Sequence, residues 1–255
     1  MLTTDFTPGT PSWLDVAAPD VEAADAFYTA LFGWRSLSLG PEHRDYRFCQ
    51  VDGRTVAGIS RNTPGRGAPA WLTYFHTPDA DTVAKAVEQA GGRVLAAPFD
   101  IQGQGRMAVF ADPAGASFAV WQPGATRGLG LVTKPGSLGW VELHVPDPGG
   151  IRGFYESVFG WRIEDLPMGE ATYPVISPAQ RDESSAMAGI ATLEAGEEPH
   201  WLPYFEVPDC DATVELAQGL GATVRTAPAT TEGAGRIAFL ADPFGARFAV
   251  ITSSA

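Results

Sequence analysis

An internal repeat constrains the fold of this chain more than any other feature of its sequence. The stretch Trp13–Val16 returns as Trp140–Leu143, and Asp20 of a Pro-Asp pair returns as Asp147 at the same spacing. Further landmarks recur in the same order in both halves: Phe27-Tyr28 with Phe154-Tyr155, Phe32-Gly33-Trp34 with Phe159-Gly160-Trp161, Tyr46 with Tyr173, and Asp112-Pro113-Ala114-Gly115 with Asp242-Pro243-Phe244-Gly245. We therefore expect two similar domains, 1–124 and 137–255, joined by a linker at 125–136 that contains helix- and strand-breaking glycines.

Each half is in turn built from two modules. A segment that opens with tryptophan and runs into Pro-Asp starts at Trp13, Trp71, Trp140 and Trp201. Apolar residues at helical spacing follow each segment, so the aspartates are predicted to cap helices and a glycine is predicted to end each helix. The predicted caps are Asp20, Asp79, Asp147 and Asp209, and the predicted helix-ending glycines are Gly33, Gly91, Gly160 and Gly221. Strand patterns come next, with Asp52-Gly53 as a hairpin turn.

The resulting module is one strand, one helix and three strands, which places the chain in the α+β class. A helix covers only one face of a sheet, so the other face of each module needs a second module or a ligand against it. The strand Trp140–Val145 shows what that face carries. Val141, Leu143 and Val145 alternate with Trp140, Glu142 and His144, and an indole, a carboxylate and an imidazole are typical of a cavity wall.

Composition narrows the class of partner. The formal net charge of -13 disfavours binding to nucleic acid and to anionic membranes. The sequence shows no apolar run of membrane-spanning length and no signal-peptide pattern near Met1, so we expect a cytoplasmic protein without a membrane partner. Cys49 and Cys210 are the only cysteines, and they have no metal-binding spacing.

The succession of landmarks resembles the vicinal oxygen chelate superfamily, which contains glyoxalases, bleomycin resistance proteins and extradiol dioxygenases. The helix exit Phe32-Gly33-Trp34, its copy Phe159-Gly160-Trp161 and the two Asp-Pro turns carry the resemblance, which covers nearly the whole chain. It is most similar to the tandem-domain actinobacterial branch that includes the mycobacterial 27 kDa antigen. The resemblance implies two tandem glyoxalase-like domains, each made of two βαβββ modules that form an open eight-stranded cup around a small-molecule site.

Metal-dependent members of that family hold an ion with His, Glu or Gln on the first, fourth, fifth and eighth strands of the cup. The residues at the matching positions of the first, fifth and eighth strands are Trp13 and Trp140, Leu72 and Leu202, and Ala119 and Ala249. The fourth strands, at 55–60 and 186–192, contain no His, Asp, Glu or Gln. Because a divalent ion needs about three side-chain ligands, we expect neither a metal ion nor another cofactor. One alternative remains, in which Glu142, His144, His200 and Glu206 compose a different metal site.

Glu142, His144 and Tyr173 are the candidate catalytic residues. Glu142 and His144 share a strand face, and apolar surroundings would raise the pKa of the carboxyl group toward that of a general base. Tyr173 offers a hydroxyl group that can orient a bound carbonyl or phenol. The alternative for all three is a structural role in which each polar group is simply hydrogen-bonded within the fold.

The candidate ligand-binding residues are aromatic or acidic and occupy predicted inner faces. Their tryptophans can stack on an aromatic ligand, or they can instead fill the cup and leave no room. Their tyrosines can donate hydrogen bonds, or they can pack in the core. The set consists of Trp13, Asp15, Tyr46, Tyr74, His76, Trp140, Tyr204 and Glu206.

Three functions fit these residues. The first is metal-independent binding of a small apolar or aromatic metabolite or natural product, similar to the sequestration of a drug by bleomycin resistance proteins. The second is a metal-independent isomerase, cyclase or lyase acting on a small carbonyl compound. The third is glyoxalase-type detoxification of methylglyoxal with an unusual ion. If only one half is functional, the second is favoured because Glu142 and His144 replace Asp15 and Ala17. The two halves are expected to form an internal pseudo-dimer within a monomer, or the chain to form a homodimer.

Overall fold

The computed structural model describes residues 1–62, 67–168, 171–179 and 185–254. The first half contains β1 (Pro11–Ala18), α1 (Val21–Phe32), β2 (Arg35–Ser38), a short 3-10 helix (Pro41–His43), β3 (Arg47–Val51), β4 (Arg54–Arg61), β5 (Ala70–His76), α2 (Ala80–Gln89), β6 (Arg93–Ile101), β7 (Gly105–Ala111) and β8 (Ser117–Pro123). The second half contains β9 (Leu138–Val145), α3 (Arg152–Phe159), β10 (Arg162–Met168), β11 (Ala171–Ser177), β12 (Ala188–Thr192), β13 (His200–Glu206), α4 (Cys210–Gly219), β14 (Thr223–Thr231), β15 (Gly235–Ala241) and β16 (Arg247–Ser253).

The strands form two eight-stranded sheets with the same topology. Their orders are β2-β3-β4-β1-β5-β8-β7-β6 and β10-β11-β12-β9-β13-β16-β15-β14. In both sheets the first strand of a module pairs in parallel with its last strand, and the remaining pairs within a module are antiparallel. The predicted α+β class, the tandem domains and the βαβββ modules are therefore confirmed.

The compact units of the chain do not coincide with the sequence repeats. One unit consists of Met1–Trp13, Leu72–Gly128 and Trp140–Trp201, and the other consists of Leu14–Trp71, Leu129–Gly139 and Leu202–Ala255. Each unit therefore combines a module from the first repeat with a module from the second. Within the first unit α2 contacts α3, and within the second unit α1 contacts α4.

The helix boundaries follow the predicted caps with one exception. Asp20 caps α1 through a hydrogen bond from the Ala23 amide at 3.0 Å, and Asp79 and Asp209 cap α2 and α4 in the same way. The prediction for Asp147 is wrong, because its side chain accepts hydrogen bonds from the amides of Gly149 and Gly150. The Gly149-Gly150 pair forms a turn in place of the first helical turn, so α3 starts only at Arg152.

The glycines predicted to end the helices lie within one residue of the observed helix ends. Gly33 and Gly160 end α1 and α3 in the left-handed conformation, with φ of 69° and 67°. Gly91 and Gly221 also have positive φ, but they lie one residue after the caps of α2 and α4. Among the helices of the described residues, none has the length and apolar character needed to cross a bilayer.

The segment between the repeats is packed against the fold. Leu129, Leu131 and Val132 are buried, and the Gly130 amide donates a 2.7 Å hydrogen bond to the Thr55 carbonyl. Buried leucines and a paired backbone amide hold this part of the predicted linker in place. A glycine-containing segment with no helix or strand is therefore still an ordered part of its compact unit.

A buried carboxylate joins the two repeats within each compact unit. In the first unit the Tyr155 hydroxyl of α3 donates to Asp112 Oδ2 at 2.9 Å, and the Trp201 indole donates to the same hydroxyl at 3.0 Å. Asp112 Oδ1 accepts from the amides of Gly115 and Ala116, which closes the Asp-Pro turn between β7 and β8. These contacts assign a role to three sequence landmarks, because the aspartate, tyrosine and tryptophan satisfy one another in the interior.

The second unit repeats this arrangement. Tyr28 of α1 donates to Asp242 Oδ2 at 2.9 Å, and Trp71 donates to Tyr28 at 3.0 Å. Trp71 and Trp201 therefore both point toward a helix, since each donates to a tyrosine of α1 or α3. Burial raises the pKa of Asp112 and of Asp242, and hydrogen bonds from the tyrosines oppose that rise.

We expect Tyr155→Phe to lower the free energy of unfolding by about 1–3 kcal/mol, because it leaves Asp112 Oδ2 buried without its donor. Tyr28→Phe removes the matching donor from Asp242 and should have a similar effect. The measurement is urea denaturation followed by circular dichroism. An unfolding midpoint equal to that of the wild type would show that the buried hydrogen bond does not stabilise the unit.

Candidate functional site

Four of the predicted residues meet on the inner face formed by β9, β11 and β12. The side chain of Glu142 is almost fully buried, and its two oxygens have different partners. Oε1 accepts a hydrogen bond from the Tyr173 hydroxyl, and Oε2 lies 2.7 Å from His144 Nε2. The Trp140 indole donates to the Tyr173 hydroxyl at 3.3 Å. We call Trp140, Glu142, His144 and Tyr173 the Glu142 cluster.

A glycine on the neighbouring strand makes this cluster possible. Gly189 of β12 lies opposite Glu142 of β9 in the parallel register. A Cβ atom on Gly189 would lie 1.8 Å from the Tyr173 hydroxyl oxygen, closer than any two non-bonded atoms can approach. The missing side chain therefore leaves the space through which the tyrosine of β11 reaches across β12 to the carboxylate.

His144 also contacts an aromatic residue that lies far away in the sequence. Its imidazole stacks on that of His200 at the start of β13, with ring centroids 4.9 Å apart and an interplanar angle of 13°. Nδ1 of His200 is 2.8 Å from the carbonyl oxygen of Glu198, which fixes the orientation of the His200 ring. The stack holds His144 in the position where its Nε2 faces Glu142.

The environment of Tyr173 keeps its hydroxyl protonated. Burial raises the pKa of Tyr173 well above its ordinary value, and the negative charge of Glu142 raises it further. The neutral phenol is therefore the form that donates to the carboxylate at neutral pH. Glu142 thus contacts both Tyr173, through a hydrogen bond, and His144, through a short nitrogen–oxygen approach, and the three side chains together are an acid–base group of the kind used in proton transfer.

An apolar surface borders the Glu142 cluster on the same face. Leu166 of β10 pairs with Tyr173 of β11, so strand alternation places Leu166 and Met168 on the face that carries Tyr173. Leu166 is 47% exposed and Met168 is 37% exposed, and Trp140 is only half-buried. The inner face of this module thus combines accessible apolar groups with the buried acid.

The first repeat contains a simpler version of the same arrangement. The Tyr46 hydroxyl donates to Asp15 Oδ2 at 3.1 Å, and a Cβ on Gly58 would lie 2.0 Å from that hydroxyl oxygen. Trp13 is only 7% exposed, in contrast to the half-buried Trp140. Ala17 stands where the second repeat has His144, so the first repeat has the acid and the phenol without the imidazole.

The remaining predicted residues have contacts of their own. Tyr74 is buried and its carbonyl accepts from Ser12 at 3.5 Å, while His76 stacks on Phe6, and burial lowers the pKa of His76. Tyr204 is buried against Phe239. Glu206 accepts a 2.5 Å hydrogen bond from Ser253 at the end of β16.

Sequence reasoning missed Gly189 and the apolar pair Leu166 and Met168, and it grouped His200 with Glu142 and His144 only as a possible metal site, without the ring stack on His144. Gly189 had a readable signal, because Gly58 occupies the matching place in the first repeat. The other two lacked one, since the contacts depend on which strands become neighbours in space.

Paired βαβββ modules with a polar cluster on the inner face define the fold class shared by glyoxalases and extradiol dioxygenases. The profile of the "Glyoxalase/Bleomycin resistance protein/Dioxygenase superfamily" matches residues 10–120, and that of the "Glyoxalase-like domain" matches residues 140–251. The chain belongs to this superfamily, and the predicted resemblance is confirmed.

Relatives align over almost the full chain. The anthracycline biosynthesis protein DauV of Streptomyces sp. (strain C5) is 42% identical, over 97% of this chain and 94% of DauV. CFP32 of Mycobacterium tuberculosis (strain CDC 1551 / Oshkosh) is 35% identical, over 97% of this chain and 96% of CFP32. Among solved structures, the 2,3-dioxygenase LapB of Pseudomonas sp. KL28 has a TM-score of 0.67 at 14% identity, covering 97% of this chain and 94% of LapB, and thus shares the fold.

The donor set of the described residues does not fit the metal ion that the superfamily implies. Within 1–62, 67–168, 171–179 and 185–254, no three His, Cys, Asp or Glu side chains converge to hold an ion. Both carboxylate oxygens of Glu142 already contact side chains of the protein. Trp13 and Trp140 occupy the first-strand positions where a ligand would be needed, and an indole has no lone pair to offer.

We expect Gly189→Ala to displace Tyr173 and to lower the free energy of unfolding by about 1–3 kcal/mol through overpacking. The clash disappears when the ring is removed, so the same change should cost little in a Tyr173→Ala background. Urea denaturation of the wild type, the two single variants and the double variant gives the coupling energy. Equal costs of Gly189→Ala in both backgrounds would rule out the contact with Tyr173 as the cause.

Proposed function

We propose that this protein binds a small aromatic natural product of the anthracycline type, without a metal ion, on the inner face that carries the Glu142 cluster. The observation that carries the proposal is the combination, on one face, of exposed Leu166 and Met168, a half-buried Trp140 and a buried acid with hydrogen-bonding partners. Apolar and indole surfaces match a planar ring system, and a few fixed polar groups select its orientation.

The relatives support the proposed ligand class. The side chains available as metal ligands support binding without a metal ion. The name of DauV assigns it to anthracycline biosynthesis, and this chain is similar to it over nearly its whole length. Phenol and imidazole groups at Tyr173 and His144 suit the hydroxyl and carbonyl groups of an aromatic polyketide. A net charge of -13 favours such a small molecule over nucleic acid as the partner.

A test of binding uses a panel of aromatic polyketides, including anthracyclinones, measured by isothermal titration calorimetry and tryptophan fluorescence. Leu166→Ala should weaken binding about 5- to 30-fold, because it removes about 1–2 kcal/mol of apolar burial. Leu216→Ala is the matched control, since Leu216 is a 45% exposed leucine on α4. Dialysis against EDTA should leave the affinity unchanged.

Two results would contradict this proposal. The first is the lack of saturable binding to any member of the panel. The second is a loss of affinity after chelation that a divalent ion restores.

The second candidate function is proton transfer on such a ligand, as in an isomerase, cyclase or lyase. The observation that favours it is the contact of Glu142 with both His144 and Tyr173. Glu142 would remove a proton from a carbon atom next to a carbonyl group, and His144 would deliver a proton at another position of the same molecule. Tyr173 would donate to the oxygen atom on which negative charge develops.

Glu142→Gln tests this second function, because glutamine keeps the size of the side chain and cannot take up the proton. We expect turnover to fall by about 10²-fold or more while ligand affinity stays within a few fold. Asp15→Asn in the first repeat is the control, since the position of His144 is occupied there by Ala17. Unchanged turnover in Glu142→Gln would remove this residue from the chemistry.

A further inference from the structure

A separate cavity lies in the same module as the Glu142 cluster, between α3 and the strands β10, β11 and β12. Its volume is about 430 Å³, within the range of roughly 300–1,000 Å³ that is typical of small-molecule pockets. Thr172 and Pro174 line it, and strand alternation points their side chains away from the face that carries Tyr173. Arg152, Asp165 and Thr192 also line it.

The first repeat has a charged residue at each of two positions that carry threonine in the second repeat, one in the turn before β3 and one at the end of β4. Asp45 and Arg61 correspond to Thr172 and Thr192, and the Arg61 guanidinium forms a 3.0 Å ion pair with Asp45 Oδ2. The second repeat has two threonines in place of this pair. The arginine side chain of the first repeat is much larger than the threonine that replaces it, so the second repeat has unfilled volume at this place.

A second arginine of the first repeat has also been replaced. Arg47 forms 3.0 Å ion pairs with Asp25 and with Glu22 across the sheet and α1. Its counterpart in the second repeat is Pro174, which has no charged group and cannot extend toward the helix. Three substitutions between the repeats thus combine to leave space between α3 and its sheet.

One wall of this cavity carries an ion pair between Arg152 and Asp165. Arg152 Nη1 and Nη2 lie 3.1 Å and 2.5 Å from the two oxygens of Asp165, a bidentate arrangement with no net charge. The Arg152 guanidinium lowers the pKa of Asp165, so the pair stays ionised at neutral pH. The hydroxyls of Thr172 and Thr192 add neutral donors and acceptors, and Pro148 and Pro174 supply apolar surface.

We propose that this cavity is a second binding site, and that its ligand is an uncharged ring that carries hydroxyl or carbonyl groups. An anionic ligand would lie beside the carboxylate of Asp165, and a cationic ligand would lie beside the guanidinium of Arg152, so each would meet repulsion from one half of the pair. A neutral hydroxylated ring makes hydrogen bonds to both halves and to the threonines while its apolar edge contacts the prolines.

Three probes of equal ring size test the site: resorcinol, benzoate and benzylamine. In two-dimensional amide NMR titrations of the full chain, resorcinol should shift the signals of Thr172, Thr192 and Arg152 in a saturable way. Benzoate and benzylamine should bind about ten-fold more weakly or not at all. The lack of a saturable shift with resorcinol, or a preference for either charged probe, would overturn the proposal.

A variant that rebuilds the ion pair of the first repeat provides the second arm. Thr172→Asp combined with Thr192→Arg places the two charges of the first repeat's ion pair at the matching positions of the second repeat. It should reduce resorcinol affinity by about ten-fold or more, and its unfolding midpoint reports whether it is folded. Unchanged resorcinol affinity in the folded double variant would show that the probe binds elsewhere.

Two controls separate this site from the others. Asp45→Thr combined with Arg61→Thr alters only the first repeat and should leave the resorcinol shifts at Thr192 unchanged. Leu166→Ala changes the opposite face, so it should weaken aromatic polyketide binding and spare resorcinol binding. A loss of resorcinol binding in either control would contradict a separate site in this cavity.

Discussion

Each compact unit depends on a buried carboxylate that receives a hydrogen bond from a tyrosine of the other repeat. Asp112 is 1% exposed and Asp242 is 3% exposed, and a carboxylate at such depth is unfavourable unless its oxygens are paired. Turn amides satisfy one oxygen and the tyrosine of α3 or α1 satisfies the other. The carboxylate therefore fixes the turn between two strands and the position of a helix that comes from the other half of the chain.

The inner faces also carry a buried acid in each repeat. Part of its surroundings is the same in both repeats. An acid of the first strand, a tyrosine and a glycine of the fourth strand recur as Asp15, Tyr46 and Gly58 and as Glu142, Tyr173 and Gly189. Tyr173 lies in β11, whereas Tyr46 directly precedes β3. The second repeat extends this group with His144 and its stacking partner. The two repeats thus share an acid–tyrosine pair, and the second repeat adds an imidazole to it.

The repeat made much of the fold predictable, because each sequence landmark occurs twice and marks the same structural element both times. The modules and the hairpin at Asp52-Gly53 agree with expectation. The cap expected at Asp147 is the exception, since the glycines at 149 and 150 form a turn that delays α3. Alternation along β9 also placed Glu142 and His144 on one face, and their side chains are 2.7 Å apart.

The sequence by itself determined the number of modules, the two faces of their strands and the candidate site residues. These features follow from periodicity and turn chemistry, which are local. The tertiary structure decided which of those residues meet. Tyr173 reaches Glu142 only because the parallel pairing of β9 with β12 sets Gly189 between them. His144 meets His200, and each compact unit draws a module from both repeats, through pairings between residues far apart in the chain. Such contacts are chosen by packing and burial over the whole fold, and no local pattern records them.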